Sequence, residues 1–291
     1  MTDVAWGGEV AGAVVAATDG SESSAQASEW AAEEAELENL PLAILHATAE
    51  RAMPPDLDAV GWRAAIRAEG EELVGQVRRG LEERHRVPVL RSVVLEGDPR
   101  DVLLEVSDHA RVLVVGSRGR GPLKSLLLGS VGMTMTQHAR CPVVVAKPRA
   151  EGVTGSGVLV GTDLTSQADA AVEWAFDQAA KRGMPLTLMH AVFDGRPAEL
   201  IGEGDPSHRY LRTRLEEIAD ACRARYPDVE VECQLRRGLA DEALLEAAEG
   251  KDMVVVGKHL RRSALGLLDL DVSQQVLAGA TRFVAIVPPG V

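Results

Sequence analysis

Residues 14–31, VVAATDGSESSAQASEWA, return at 158–175 as VLVGTDLTSQADAAVEWA, and LAILHAT at 42–48 returns at 186–192 as LTLMHAV. Whatever the first half of the chain builds, the second half must therefore build again. Within the first half, short apolar runs alternate with longer amphipathic stretches. Residues 13–18 suit a strand buried on both faces, and 21–38 suit a helix with Ala25, Ala27, Trp30, Ala31, Ala35 and Leu37 on one side, capped by Asp19 or Ser21. A strand over 42–47 follows, then a helix in which Trp62, Ile66, Leu73, Val77 and Leu81 recur at helical spacing up to Arg84. A strand over 88–95 leads to a helix over 101–109, with Asp98 as its cap and Pro99 at the first helical position. A strand over 112–115, a helix over 129–139 and a strand over 142–146 complete the unit. Strands alternating with helices through five rounds give a parallel, doubly wound α/β sheet flanked by helices, with its ligands at the carboxyl ends of the strands. The breaker-rich stretch PRAEGVTGSG at 148–157 separates the copies, so the domains are 1–148 and 149–291.

A chain of 291 residues carries two such domains comfortably. With aromatics at only 3% of the sequence, Val, Leu, Ala and Ile must fill both cores. The net charge of −13 argues against binding to nucleic acid or an anionic membrane, each of which wants a basic face. Cys141, Cys222 and Cys233 show neither a C-x-x-C pairing nor metal-ligand spacing. They read as reduced structural thiols of a cytoplasmic protein. The N-terminus lacks the basic and apolar regions of a secretory signal, and no apolar run approaches the roughly 18 residues of a membrane span.

The chemistry of the first copy concentrates in VLVVGSRGRGPLKSLLLGSVGMTMTQHARCPVVVAK at 112–147, where the glycines fall as G-x2-G-x9-G-S at Gly116, Gly119, Gly129 and Ser130. A strand, a glycine-rich basic loop and a helix start together place backbone N–H groups and a positive helix end where phosphate is favoured. The nearest rivals fail on spacing. Gly121 is followed by Pro122 where a Walker A loop needs other spacing, Lys124 stands where the third glycine of a dinucleotide fingerprint belongs, and Leu128 replaces a glycine of the nucleophile elbow. Ser130 is therefore a candidate donor and not a nucleophile.

The second copy departs from the first in this same loop. At an offset of 141 residues Gly257 keeps the first glycine, but Leu260 and Leu270 replace the others and Asp271 stands for Ser130. Leucines crowd the backbone approach and a carboxylate at a helix start repels phosphate, so a triphosphate prefers the first copy. Lys258, His259, Arg261 and Arg262 read as a solvated basic loop. His46 and His190 read as hydrogen-bonded strand-end histidines, and Trp30 and Trp174 as core anchors. Asp19 and Asp163 could each cap the first helix of their copy.

With these motifs in view, the chain resembles a tandem-domain universal stress protein over nearly its whole length. The resemblance rests on VVAATDGSESSAQASEWAAEEA, ILHA, GDPRDVLLE, GSRGRGPLKSLLLGSV and CPVVVAK. It implies two tandem five-stranded Rossmann-like domains and ATP with Mg2+ over the strand ends of the first. It implies that Thr18 and Asp19 belong to the nucleotide site with Asp19 at the nucleoside end, and that Ala47 meets adenine through its backbone. Gly116, Gly119, Gly129, Ser130 and Val131 would wrap the phosphates, with Arg118, Arg120 and Lys124 as charge partners. Gly132 departs from the pattern, standing where ATP-binding relatives often carry Ser or Thr. The resemblance further implies pairing between the two domains, a homodimer of tandem chains and an unidentified regulatory protein as partners. The function expected is nucleotide-dependent regulation in a stress response, without a catalytic residue. The alternatives are a slow ATP hydrolase or phosphotransferase using the same pocket, and a nucleotide-independent scaffold.

Overall fold

The computed structural model describes residues 7–49, 52, 58–119, 128–147, 156–193, 199–202, 204–258, 272–280 and 282–290. The chain divides into two compact units, Met1–Pro148 and Arg149–Val291. The first contains α1 (Gly7–Val10), β1 (Val14–Ala17), α2 (Glu22–Glu38), β2 (Leu42–Thr48), α3 (Ala59–Arg84), β3 (Leu90–Glu96), α4 (Pro99–Ser107), β4 (Val112–Gly116), α5 (Ser130–His138) and β5 (Val143–Ala146). Its sheet runs β3-β2-β1-β4-β5 with every described pairing parallel. The direction of winding reverses between β1 and β4, where Ala16 lies opposite Val114. A crevice must open at the carboxyl ends of those two strands, because their connections leave in opposite directions.

Local chemistry sets the boundaries. Ser21 caps α2 by accepting from the Ser24 amide at 3.3 Å, Asp58 caps α3, and Asp98 caps α4 with Pro99 behind it. Asp19 is thus not the cap of α2; its Oδ1 accepts from the Ser21 amide at 3.0 Å, closing the turn before the helix. The alanines of α2 let it lie close on β1 and β4, burying Ala27, Trp30, Ala31 and Ala35. Leu37, expected on that face, is 47% exposed, and in α3 it is Val74 that is buried with Leu81. A 26-residue helix rotates its apolar stripe relative to a fixed spacing, and Gly70 lets it settle against His46 and Val94.

The last turn of α3 is pinned to α2 by His85, whose Nε2 meets Glu29 at 2.9 Å and whose Nδ1 meets Glu36 at 3.3 Å, while Arg84 also pairs with Glu29. Burial alone would lower the His85 pKa; its hydrogen bonds to the two glutamates outweigh that and hold it above the ordinary 6.5. A raised pKa in the folded state gives stability that is present below the unfolded value and lost as pH rises through the folded one. The melting temperature of the first unit is therefore expected to fall as pH rises from 6.5 through the raised folded value, and His85→Ala should flatten that slope. An unchanged slope in the variant would contradict this clamp.

The second unit contains β6 (Val158–Gly161), α6 (Asp169–Arg182), β7 (Leu186–Val192), β8 (Glu199–Leu200), a 3-10 turn (Pro206–His208), α7 (Arg209–Arg223), β9 (Val231–Arg237), α8 (Ala240–Ala247), β10 (Met253–Gly257), α9 (Val272–Gly279) and β11 (Phe283–Val287). Its sheet order, β8-β9-β7-β6-β10-β11, repeats the first with one addition. β8 is a two-residue antiparallel edge, held by Arg237 of β9 pairing with Glu199. Trp30 and Trp174 are 3% and 7% exposed, so each anchors its own core.

Candidate functional site

At the β1/β4 crevice of the first unit lies a cleft of about 750 Å³. That falls within the roughly 300–1,000 Å³ of small-molecule sites. Thr18, Asp19, Ala47, Gly116, Arg118, Gly119, Gly129, Ser130 and Val131 all line it. Its walls differ in chemistry.

Part of its wall is apolar, from Leu45, Pro99, Leu103 and Val115. Here β1 stops short of β2. The Thr18 amide donates to the Leu45 carbonyl at 2.8 Å, and the chain then turns away. In a parallel ladder alternate residues face the same neighbour, so the N–H and C=O of Ala47 face the side that β1 has vacated. They form an adjacent donor and acceptor. His46 Nδ1 donates to the Thr18 carbonyl at 2.7 Å, which makes it a strand-end bracket.

Another part is built of backbone. The Gly129 amide donates to the Ser117 carbonyl at 2.9 Å, joining the start of α5 to the end of β4. Gly129 occupies the cap position of α5 without any side-chain cap, in contrast to Ser21, Asp58 and Asp98 on the preceding helices. The first intrahelical bond runs from the Met133 amide to the Gly129 carbonyl, so the amides of Ser130, Val131 and Gly132 have no acceptor within the helix. Each of these residues lines the cleft. A Cβ on Gly116 would lie 2.8 Å from the backbone of Ser23 and Ser24, one on Gly119 would lie 2.7 Å from Asp19 Oδ2, and one on Gly132 would meet the Leu128 side chain at 2.8 Å. Gly132 thus makes room for Leu128. Arg118 is exposed at the mouth. Burial, with the charge of Arg118 added, lowers the Lys147 pKa to about 8. Arg120 and Lys124 lie outside the described residues. Sequence reasoning passed over Ser23 and Ser24 as cleft-lining residues, although the run GSESS at a strand end was the available signal.

The model of the universal stress protein family matches residues 12–147 and again 157–288. The chain belongs to the universal stress protein family. A universal stress protein of Mycolicibacterium smegmatis is 31% identical over 292 residues, covering 95% of this chain and 97% of its own. One from Mycobacterium tuberculosis is 32% identical over 276 residues, covering 92% and 94%. The crystal structure of a universal stress protein from Archaeoglobus fulgidus superposes with a TM-score of 0.69 at 21% identity over 96% of both chains, a likeness of fold.

The two universal stress protein domains match in fine detail at the ends of β1 and β6. The Thr162 amide donates to the Met189 carbonyl at 2.9 Å and His190 Nδ1 to the Thr162 carbonyl at 2.8 Å, as in the first domain. Asp163 closes a turn onto Thr165 and does not cap α6, which begins after Ala168. They diverge at the glycines. Leu164 takes the left-handed conformation, φ 62°, that Gly20 takes at φ 76°. A branched side chain there carries strain, so Leu164→Gly is expected to raise stability by about 1 kcal/mol in urea denaturation, after the cost of glycine's unfolded-state entropy. A destabilised variant would show that packing of Leu164 outweighs the strain. Leu260, Leu270 and Asp271, with His259, Arg261 and Arg262, lie outside the described residues. Lys258 is described, and burial lowers its pKa.

Proposed function

We propose that the first domain binds ATP with Mg2+, and that this universal stress protein is a nucleotide-dependent regulatory factor of the cytoplasmic stress response. The observation that carries the reading is the uncapped N-terminus of α5 facing a glycine-lined cleft, since free amides at a positive helix end select phosphate. The Ala47 N–H and C=O suit the N1 acceptor and amino donor of adenine, and the apolar walls suit its faces. The triphosphate would lie along Gly116, Gly119 and Gly129 with Arg118 at its outer end. Among the described residues no cluster of three or more His, Cys, Asp or Glu could hold a metal. Mg2+ would therefore be held by the phosphate oxygens and water, with Asp19 and Glu22 the carboxylates lining the cleft.

The working event is binding. Phosphates held between the ends of β4 and α5 change the charge and shape of that edge of the domain, and a regulatory partner reads that surface. The domains are proposed to pair with each other, and tandem chains to form a homodimer. Calorimetric titration of the full chain with ATP, with and without Mg2+, tests the reading alongside a phosphate-release assay. Saturable binding with turnover too slow to follow in minutes supports it. Fast metal-dependent hydrolysis abolished by Asp19→Ala would replace regulation with catalysis.

A further inference from the structure

Ser23 stands at the second position of α2 and is 3% exposed. A buried serine in the first turn of a helix ordinarily serves that helix, but the Ser24 amide is already taken by Ser21. The Ser23 hydroxyl instead reaches across 95 residues to the phosphate-facing loop. It donates to the Arg118 carbonyl and accepts from the Arg118 amide at 3.3 Å, while Ser21 Oγ donates to the same carbonyl at 3.2 Å. One side chain therefore satisfies both backbone groups of Arg118. The fit depends on Gly116, whose missing Cβ would lie 2.7 Å from Ser23 Oγ. Residues 117–119, the described start of the loop, are each fastened: Ser117 to Ala146 and Gly129 by backbone bonds, Arg118 to Ser23, and Gly119 against Asp19. The second domain has Gln167 in the place of Ser23 and a wider gap, where the Gln167 carbonyl would lie 3.9 Å from a Cβ on Gly257.

We infer that Ser23 is a positioning residue that latches the start of the loop to α2, presetting the polyphosphate half of the cleft while leaving its nucleoside half alone. This rests on the reading of the cleft as an ATP site. A loop fixed before the ligand arrives spares the ordering cost at binding, and that saving accrues only to ligands that use the loop. Adenosine does not reach it.

The test titrates the full-length protein and its Ser23→Ala variant with ATP and with adenosine, and follows amide hydrogen exchange at Arg118 and Gly119 without ligand. Expected is roughly a five- to ten-fold loss of ATP affinity in the variant, the worth of one or two hydrogen bonds, with adenosine unchanged and faster exchange confined to the loop. Equal losses for both ligands, or no change in either, would overturn the latch. Wild-type protein that binds neither ligand would overturn the ATP reading itself, whereas a wild type that binds ATP with a variant that keeps it would overturn the latch alone.

Discussion

Gly116→Ala is expected to destabilise the first domain by about 1–3 kcal/mol, the usual cost of forcing an added methyl into a packed site. The new Cβ would lie 2.7 Å from Ser23 Oγ and 2.8 Å from both the Ser23 carbonyl carbon and the Ser24 nitrogen. Two of these are backbone atoms of the first turn of α2, which cannot swing aside as a side-chain end can. The helix must retreat from β4, and the Arg118 contact retreats with it. Gly257→Ala is the matched control, because among the described residues its Cβ would find nothing nearer than Ala171 Cβ at 3.7 Å. Urea denaturation should separate the pair, with Gly257→Ala nearly neutral. Equal effects would show that the gap between β4 and α2 is no tighter than that between β10 and α6.

Gly129→Ala is expected to do the opposite, leaving the fold intact and removing ATP binding by tenfold or more, roughly 1.4 kcal/mol or above. Its backbone, φ −73° and ψ 163°, is open to any residue, and among the described residues a Cβ would meet only the Ser117 carbonyl oxygen at 3.9 Å. Nothing among the described residues therefore requires glycine there. On the proposed reading, what the methyl crowds is the approach of phosphate to the α5 amides. Calorimetry with ATP, together with a melting curve, checks both halves. Retained affinity would mean that the phosphates do not approach the α5 N-terminus.

The alternation of β-branched runs with amphipathic helices made the doubly wound sheet legible, because each run is too short for a helix and each intervening stretch too long for a loop. Asp98-Pro99 marked a helix start to the residue. The glycine spacing was likewise readable, and the structure brings Gly116, Gly119 and Gly129 to one cleft with Thr18, Asp19 and Ala47. Other features were hidden for physical reasons. β8 is two residues long and carries no periodicity. Leu164 offers no hint of a left-handed backbone, because the turn it inherits from the repeat overrides its own preference. Ser23 carries no sequence signal of its role, since nothing local distinguishes a serine that bonds its own helix from one that bonds a strand end 95 residues away.

Whether the first domain holds ATP is decided by the nucleotide content of the protein as purified, obtained by denaturing it and separating the released ligands, beside Gly129→Ala. ATP is expected at one equivalent per chain, lost in the variant. Two equivalents would contradict the preference for the first domain, and no nucleotide even after incubation with ATP would contradict the nucleotide-dependent role.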